Sequence, residues 1–215
     1  MNIVVVGAHP DDPESGCGGF TMQAVGAGHR VVFLYLTSGY LDRRYGDRPV
    51  VEVRELEARA ACELLGTEPN FLRMQDGAVE FNAGTLATVT QALSQLAPDF
   101  VLTHWPVDFH PDHQVAGVLV TQAVRENPRI AFGYYPVCLG QQTRAFEPNR
   151  WIDISAVAEQ KKRAVECHQS QNVRQWWPYH DAMDRYRGCQ VRTAQAEGFY
   201  VVRPSTEIEG MFFTA

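Results

Sequence analysis

The sequence predicts an α/β protein with a mostly parallel central sheet and helices on both of its faces. Three observations carry this. Short apolar runs such as Ile3 to Val6 and Val31 to Leu36 show no polar alternation, as in strands covered on both sides. These runs alternate with segments of helical spacing, giving the order βαβαβαβα over roughly the first 125 residues and implying right-handed crossovers. The residues best suited to chemistry follow directly after strands, where open parallel sheets bind their ligands.

The elements can be justified in order. Asn2 to Gly7 contains four successive β-branched residues, Ile3 to Val6, and forms the first strand. Pro10 and Pro13 delay a helix, so the small run Glu14 to Gly19 is expected to pack closely and a helix to cover Phe20 to Ala27, ended by Gly28. Val31 to Leu36 is the second strand, and the loop Thr37 to Pro49 leaves it at the same sheet edge as His9. Val50 to Leu65 has Val53, Leu56, Ala60 and Leu64 along one face and Gly66 as its stop. Phe71 to Met74 is a short strand, Thr85 to Leu96 a helix, Phe100 to Thr103 a strand and Val115 to Val124 a helix. Ile130 to Leu139 and Trp151 to Ile154 read as strands, and Ser155 as the cap of a helix from Ala156 to about His168. Gln169 to Gly188 has no assignable pattern, and Phe199 to Val202 is a last strand. With 215 residues and no linker-like stretch, one domain over 1–215 is expected.

Composition narrows the function classes. A net charge of -6 with scattered arginines argues against a nucleic-acid partner. Five cysteines without a C-x-x-C pair indicate neither a disulfide framework nor a cysteine zinc site. The first residues show no basic leader, and their apolar run is too short to span a membrane, so a cytoplasmic protein without a transmembrane segment is expected.

Two clusters carry the chemistry. Ala8-His9-Pro10-Asp11-Asp12 follows the first strand, and His110-Pro111-Asp112-His113 follows the strand at Phe100. His9, Asp12 and His113 together would give two imidazoles and a carboxylate with one position left for water, the pattern of a catalytic metal site. Asp11 would then be free to act as general base, and His110 to stabilise an oxyanion or donate a proton. Asp112 is expected to orient His110. The same donors accept zinc or ferrous iron. The run Gly16 to Gly19 lacks the spacing of a dinucleotide loop and reads as close helix packing. His29, His104 and His168 are read as structural, and Trp176, Trp177, Tyr179 and His180 as core, oligomer contact or sugar platform.

These residues resemble the PIG-L/LmbE-like family of metal-dependent N-acetylglucosaminide deacetylases. The resemblance rests on both histidine motifs, on Gly16 to Gly19, on Arg54-Glu55 with Ala60 and Leu65-Gly66, and on Ile152 to Ser155, Lys162 and Ser170-Gln171. Pro13 between the aspartates and Glu14 resembles the bacillithiol-pathway branch, and Asp108 stands where mycothiol-pathway members carry a tyrosine. The resemblance implies a Rossmann-like three-layer sandwich, zinc on His9, Asp12 and His113, Asp11 as base, and His110 at the oxyanion with Asp112 behind it. It implies hydrolysis of the acetamide of a small GlcNAc conjugate. Arg54 and Asp108 are candidate substrate contacts. Tyr134, Tyr135, Arg144 and the Trp176 region are further candidate contacts. Self-association is expected because related proteins are often homo-oligomers. The competing readings are hydrolysis of another amide and a non-catalytic sugar- or metal-binding module.

Overall fold

The computed structural model describes residues 1–40 and 43–212 of the chain. The elements are β1 (Asn2–Gly7), α1 (Asp12–Gly26), β2 (Arg30–Thr37), the short hairpin β3 (Arg44–Tyr45) and β4 (Arg48–Pro49), α2 (Val50–Leu65), β5 (Glu68–Met74), α3 (Ala83–Leu96), β6 (Phe100–His104), α4 (Pro111–Arg125) and β7 (Ala131–Tyr135). They are followed by β8 (Arg150–Asp153), α5 (Ala158–Val165), a 3-10 turn at Gln169–Gln171, α6 (Val173–Val191), β9 (Ala196–Arg203) and the short α7 (Thr206–Glu209). Seven strands form one sheet in the order β5-β2-β1-β6-β7-β9-β8. The first five run parallel, and β9 is antiparallel to both β7 and β8. The expected α/β sandwich with a mostly parallel sheet is the fold observed.

The apolar runs divide between two cores because successive side chains of a strand point to opposite faces. Ile3, Val5, Phe33 and Tyr35 pack with Phe20 of α1 and Ala58 and Ala61 of α2. Val4, Val6, Leu34 and Leu36 face the other way, onto Val89 of α3 and Leu119 and Val120 of α4. This double coverage explains why these strands are apolar throughout. The strand β5 lies at the edge of the sheet, where Pro69 is tolerated.

Several boundaries differ from the sequence expectation. Helix α1 begins at Asp12 and not at Phe20, because Pro13 sits in the first turn, where a missing N–H does no harm. Its glycines lie inside the helix, and a methyl group on Gly19 would collide with the side chain of Ile154. The helix after β8 spans only Ala158–Val165. Ser155 does not cap it; its hydroxyl donates to Asp153 Oδ1 at 2.5 Å. The unassigned stretch holds the 3-10 turn and most of α6, which accommodates Pro178 within it. Residues 41 and 42 of the loop expected near His9 lie outside the described residues.

A buried ion cluster ties the C-terminal elements to α1. Lys161 Nζ lies 2.6 Å from Asp184 Oδ2 and 2.9 Å from Glu197 Oε1. Glu197 also accepts from the backbone N–H groups of Gly19 and Phe20, at 2.8 and 2.7 Å. All five cysteines are free, and among the described residues no helix is long and apolar enough to cross a membrane.

Replacing Gly19 by alanine should destabilise the fold by about 1–3 kcal/mol, the usual cost of overpacking. Gly26, at the end of the same helix, has no atom within 4 Å of its would-be Cβ. Gly26→Ala should therefore be neutral or stabilising by up to about 1 kcal/mol. Urea unfolding midpoints of the two variants test this contrast.

Candidate functional site

Strands β1 and β6 are neighbours, with β2 and β5 continuing the sheet on one side and β7 on the other. The chain order therefore reverses between them, which makes their carboxyl ends the crevice in which such a sheet binds ligands. His9 leaves β1, Asp12 opens α1, and His110 caps α4 just after β6. The two clusters meet across this switch point.

His9 Nδ1 lies 3.3 Å from Asp12 Oδ2, His113 Nε2 lies 3.3 Å from Asp12 Oδ1, and the two histidine nitrogens are 3.3 Å apart. Ligands held tetrahedrally at about 2.0–2.1 Å from an ion stand about 3.3 Å from one another. With one Asp12 oxygen beside each ring nitrogen, the triangle of residues has the spacing a zinc-sized ion needs, and its donors are of the type such an ion takes. Asp12 is additionally fixed by the backbone N–H of His9, which donates to Oδ2 at 2.7 Å. Ligand atoms also come together in three overlapping groupings of His and Asp among the described residues: His9 with His110 and His113, Asp12 with His104 and His113, and His9 with Asp76 and Asp112.

The carboxylates behind the triangle differ from the expected arrangement. The carboxylate of Asp112 does not orient His110. Its Oδ2 lies 3.1 Å from His9 Nε2, and its oxygens accept from the backbone N–H groups of Gly77 and Val79 at 2.7 and 3.1 Å. Residues two apart on a helical turn do not face each other, so Asp112 at the start of α4 points away from His110. Asp108, expected on the substrate side, is turned inward as well. It lies 3.2 Å from His113 Nδ1 and accepts from Thr143 Oγ1 and the His110 N–H, both at 2.8 Å. Each ring thus has a carboxylate at its far nitrogen, which fixes orientation and tautomer.

His110 has a different environment. Its Nδ1 accepts from the Asp112 N–H at 3.2 Å, which assigns the proton of the neutral ring to Nε2. Burial and the neighbouring His9 and His113 hold its pKa below the ordinary value, so the ring is a neutral donor. His113 is the opposite case. Burial disfavours its charge, but Asp12 and Asp108 outweigh burial and push its pKa up to about 10.

Asp11 has a positive φ of 117°, a region that L-residues adopt only when the surroundings enforce it. Two contacts enforce it. The Asp11 N–H donates to Glu14 Oε2 at 3.2 Å, and Arg54 donates to the carbonyl of Pro10 at 2.7 Å. Arg54 also lies 3.6 Å from the Asp11 carboxylate and 3.3 Å from that of Asp76. Burial raises the pKa of Asp11 to about 6, with Arg54 opposing the rise. Glu14 is itself buried and held by Tyr35 and His168, at 2.7 and 2.9 Å.

Two residues were not singled out for the site. Asp76, in the loop after β5, lies 3.6 Å from His9 Nε2 and links that ring to Arg54. Its only signal in the sequence is its place after a strand. His104, the last residue of β6, lies 3.2 Å from Asp12 Oδ2 and stacks on His113 with ring centres 4.2 Å apart.

These groups open into a cleft of about 310 Å³, lined by Asp11, Arg54, Asp76 and His110 on the polar side and by Val137, Cys138, Gln171, Trp176 and His180 from later in the chain. The volume is at the small end of ligand pockets, roughly 300–1,000 Å³. Tyr134, Tyr135 and Arg144 do not line it. Tyr135 donates to the carbonyl of Val6 at 3.0 Å, Tyr134 pairs with Thr121 at 2.8 Å, and Arg144 lies over the ring of Phe109.

The Asp11 environment gives a pH test on metal-free protein. Its carboxyl has a pKa of about 6 in the fold against an ordinary 3.8, so the native state holds the proton more tightly and loses stability as pH rises through this window. Asp11→Asn should remove that part of the decline. Denaturation midpoints of both proteins between about pH 4 and pH 7 measure it; parallel curves would exclude the shift.

The family model described as GlcNAc-PI de-N-acetylase, PIG-L, matches residues 4–124. The diacetylchitobiose deacetylase of Thermococcus kodakarensis is 28% identical over 220 residues, which cover 93% of this chain and 82% of that protein. A probable N-acetyl-alpha-D-glucosaminyl L-malate deacetylase 2 of Bacillus cereus is 25% identical over 215 residues, covering 94% and 98%. The solved structure of a 4-carboxy-2-hydroxymuconate hydratase from Pseudomonas putida superposes with a TM-score of 0.82 at 22% identity, covering 96% of this chain and 98% of that one, a likeness of fold. The family match runs from β1 through α4 and takes in more than half of the chain, and on that ground the chain belongs to the PIG-L family.

Proposed function

We propose that the chain is a metal-dependent hydrolase that removes the N-acetyl group from a small GlcNAc-containing molecule, releasing acetate and a free amine. His9, Asp12 and His113 hold the ion, with zinc as the first choice and ferrous iron compatible with the same donors. The observation that carries this reading is that His9, Asp12 and His113 approach one another pairwise at 3.3 Å, through one or other Asp12 oxygen, with a further carboxylate, Asp11, left over beside them. The named activities of the Thermococcus and Bacillus relatives support the amide and the sugar class.

When bound, the ion would supply Lewis acidity, making a water acidic near neutral pH and polarising a carbonyl. The rest is the work of side chains. Asp11, with its pKa raised to about 6, is suited to take a proton from the attacking water and pass it to the departing nitrogen. Arg54 keeps that carboxylate in place and limits how far burial raises its pKa. The Nε2–H of His110 is available to donate to the oxygen that gains charge as the carbonyl carbon becomes tetrahedral. Asp112 and Asp108 hold His9 and His113 by their far nitrogens.

Three results are expected. Zinc-loaded protein should release acetate from N,N'-diacetylchitobiose or GlcNAc-malate, and Asp11→Asn should keep the zinc while losing at least about a hundredfold in rate. If Asp11→Asn turns over normally, its role as base is excluded; if the wild type releases acetate from no N-acetylated sugar, the weight moves to another amide or to a binding module. Zinc uptake should displace the proton that Asp12 and Asp108 hold on His113, so apparent affinity should rise with pH up to about 10. Calorimetry in buffers of different ionisation heat counts that proton. Asp112→Asn should weaken zinc binding about 10- to 100-fold by releasing His9, whereas His110→Ala should leave it nearly unchanged. Competition with a chromogenic chelator separates these two outcomes.

A further inference from the structure

We propose that the indole of Trp176 is the platform for the pyranose ring of the substrate and selects a cyclic sugar over an open-chain amide. This rests on the deacetylase reading for the identity of the reacting bond. Trp176 and His180 stand one helical turn apart on α6, and both line the cleft. The indole has a single polar group, its N–H, which donates to the carbonyl of Gln171 at 3.0 Å. What remains to face a ligand is the apolar ring.

The ring is also held in place. It meets His180 edge-on, with centres 5.5 Å apart and planes at 70°. His180 Nε2 in turn accepts from the Cys138 N–H at 3.2 Å. Gln171 is fixed through its neighbour Ser170, whose N–H and hydroxyl both donate to Glu57 of α2, at 2.8 and 2.6 Å. A platform set before the ligand arrives loses little freedom on binding.

The composition of the cleft suits such a ligand. Trp176, Val137 and Cys138 give it an apolar part, while Arg54, Asp76 and Gln142 offer hydrogen-bonding groups. A pyranose has the same division, with C–H groups on its faces and hydroxyls around its rim. An open-chain amide has no such face. The contacts that hold Trp176 go to Gln171 and His180, neither of them an ion ligand or proton carrier in the mechanism. The residue should therefore act on binding and not on the chemical step.

The test compares wild type, Trp176→Phe and Trp176→Leu, all zinc-loaded, on N,N'-diacetylchitobiose and on N-acetylethanolamine. Trp176→Leu should raise KM for the sugar about three- to tenfold, the range of one aromatic contact, with kcat within about twofold. It should leave kcat/KM for the open-chain amide unchanged, and Trp176→Phe should recover most of the loss. Equal losses on both substrates, or no loss on the sugar, overturn the platform. Calorimetric binding of N,N'-diacetylchitobiose in an Asp11→Asn background gives a readout independent of turnover. Sugar binding that weakens with Trp176→Leu, when the zinc-loaded chain with Asp11 intact releases no acetate, keeps the platform and removes the deacetylase reading. Normal acetate release with binding indifferent to Trp176 does the reverse, and no sugar binding at all removes both.

Discussion

The site depends on a buried charge, the carboxylate of Asp12. It is only 4% exposed, and an uncompensated carboxylate in such a position costs several kcal/mol. Compensation comes from three directions: His9 at the end of β1, His104 at the end of β6, and His113 from α4, each within 3.3 Å of one of its oxygens. These partners meet only if β1 and β6 pair in the observed register, Ile3 opposite Phe100, and α4 packs over both. Asp112 makes the reverse crossing, from α4 back to His9 and to the backbone after β5. Two oppositely directed carboxylates thus fasten three strand ends together.

The strands of the parallel half were legible because both of their faces are buried, which leaves an unbroken apolar run with no competing period. Helix α6 was not. Its buried positions include His180, Asp184 and Arg187, which hydrophobic periodicity counts as solvent-facing. Asp184 is tolerated there because Lys161 reaches it from α5, a pairing that no local window of sequence contains. The candidate residues were legible as a set, since two similar clusters at two strand ends stand out from background. Their directions were not. Nearness in sequence points Asp112 at His110, and its position in the motif points Asp108 at the substrate, whereas the helical turn and the Thr143 contact send them to His9 and His113.

The likeness to a hydratase of nearly the same fold shows how little the sheet says about the reaction. A crevice beyond the ends of parallel strands accounts for where the donors gather. The amide reading depends on details at the scale of single side chains: the strained Asp11, its neighbour Arg54, and the neutral His110 with its proton on Nε2. The strain at Asp11, of order 1–3 kcal/mol, is sustained by surroundings that include the Glu14, Tyr35 and His168 network beneath it.

The cleft is assembled from two stretches of chain. The candidate ion ligands, Asp11, Arg54 and Asp76 all fall within residues 4–124, the span that matches the family model, whereas Val137, Cys138, Gln171, Trp176 and His180 come from beyond it. The charged wall of the cleft and most of its apolar wall thus come from different segments, with Arg54 and Asp76 facing the ligand space from the first. Under the proposed function, a substitution in the later wall would change the surface that a ligand meets while leaving every candidate ion ligand in place.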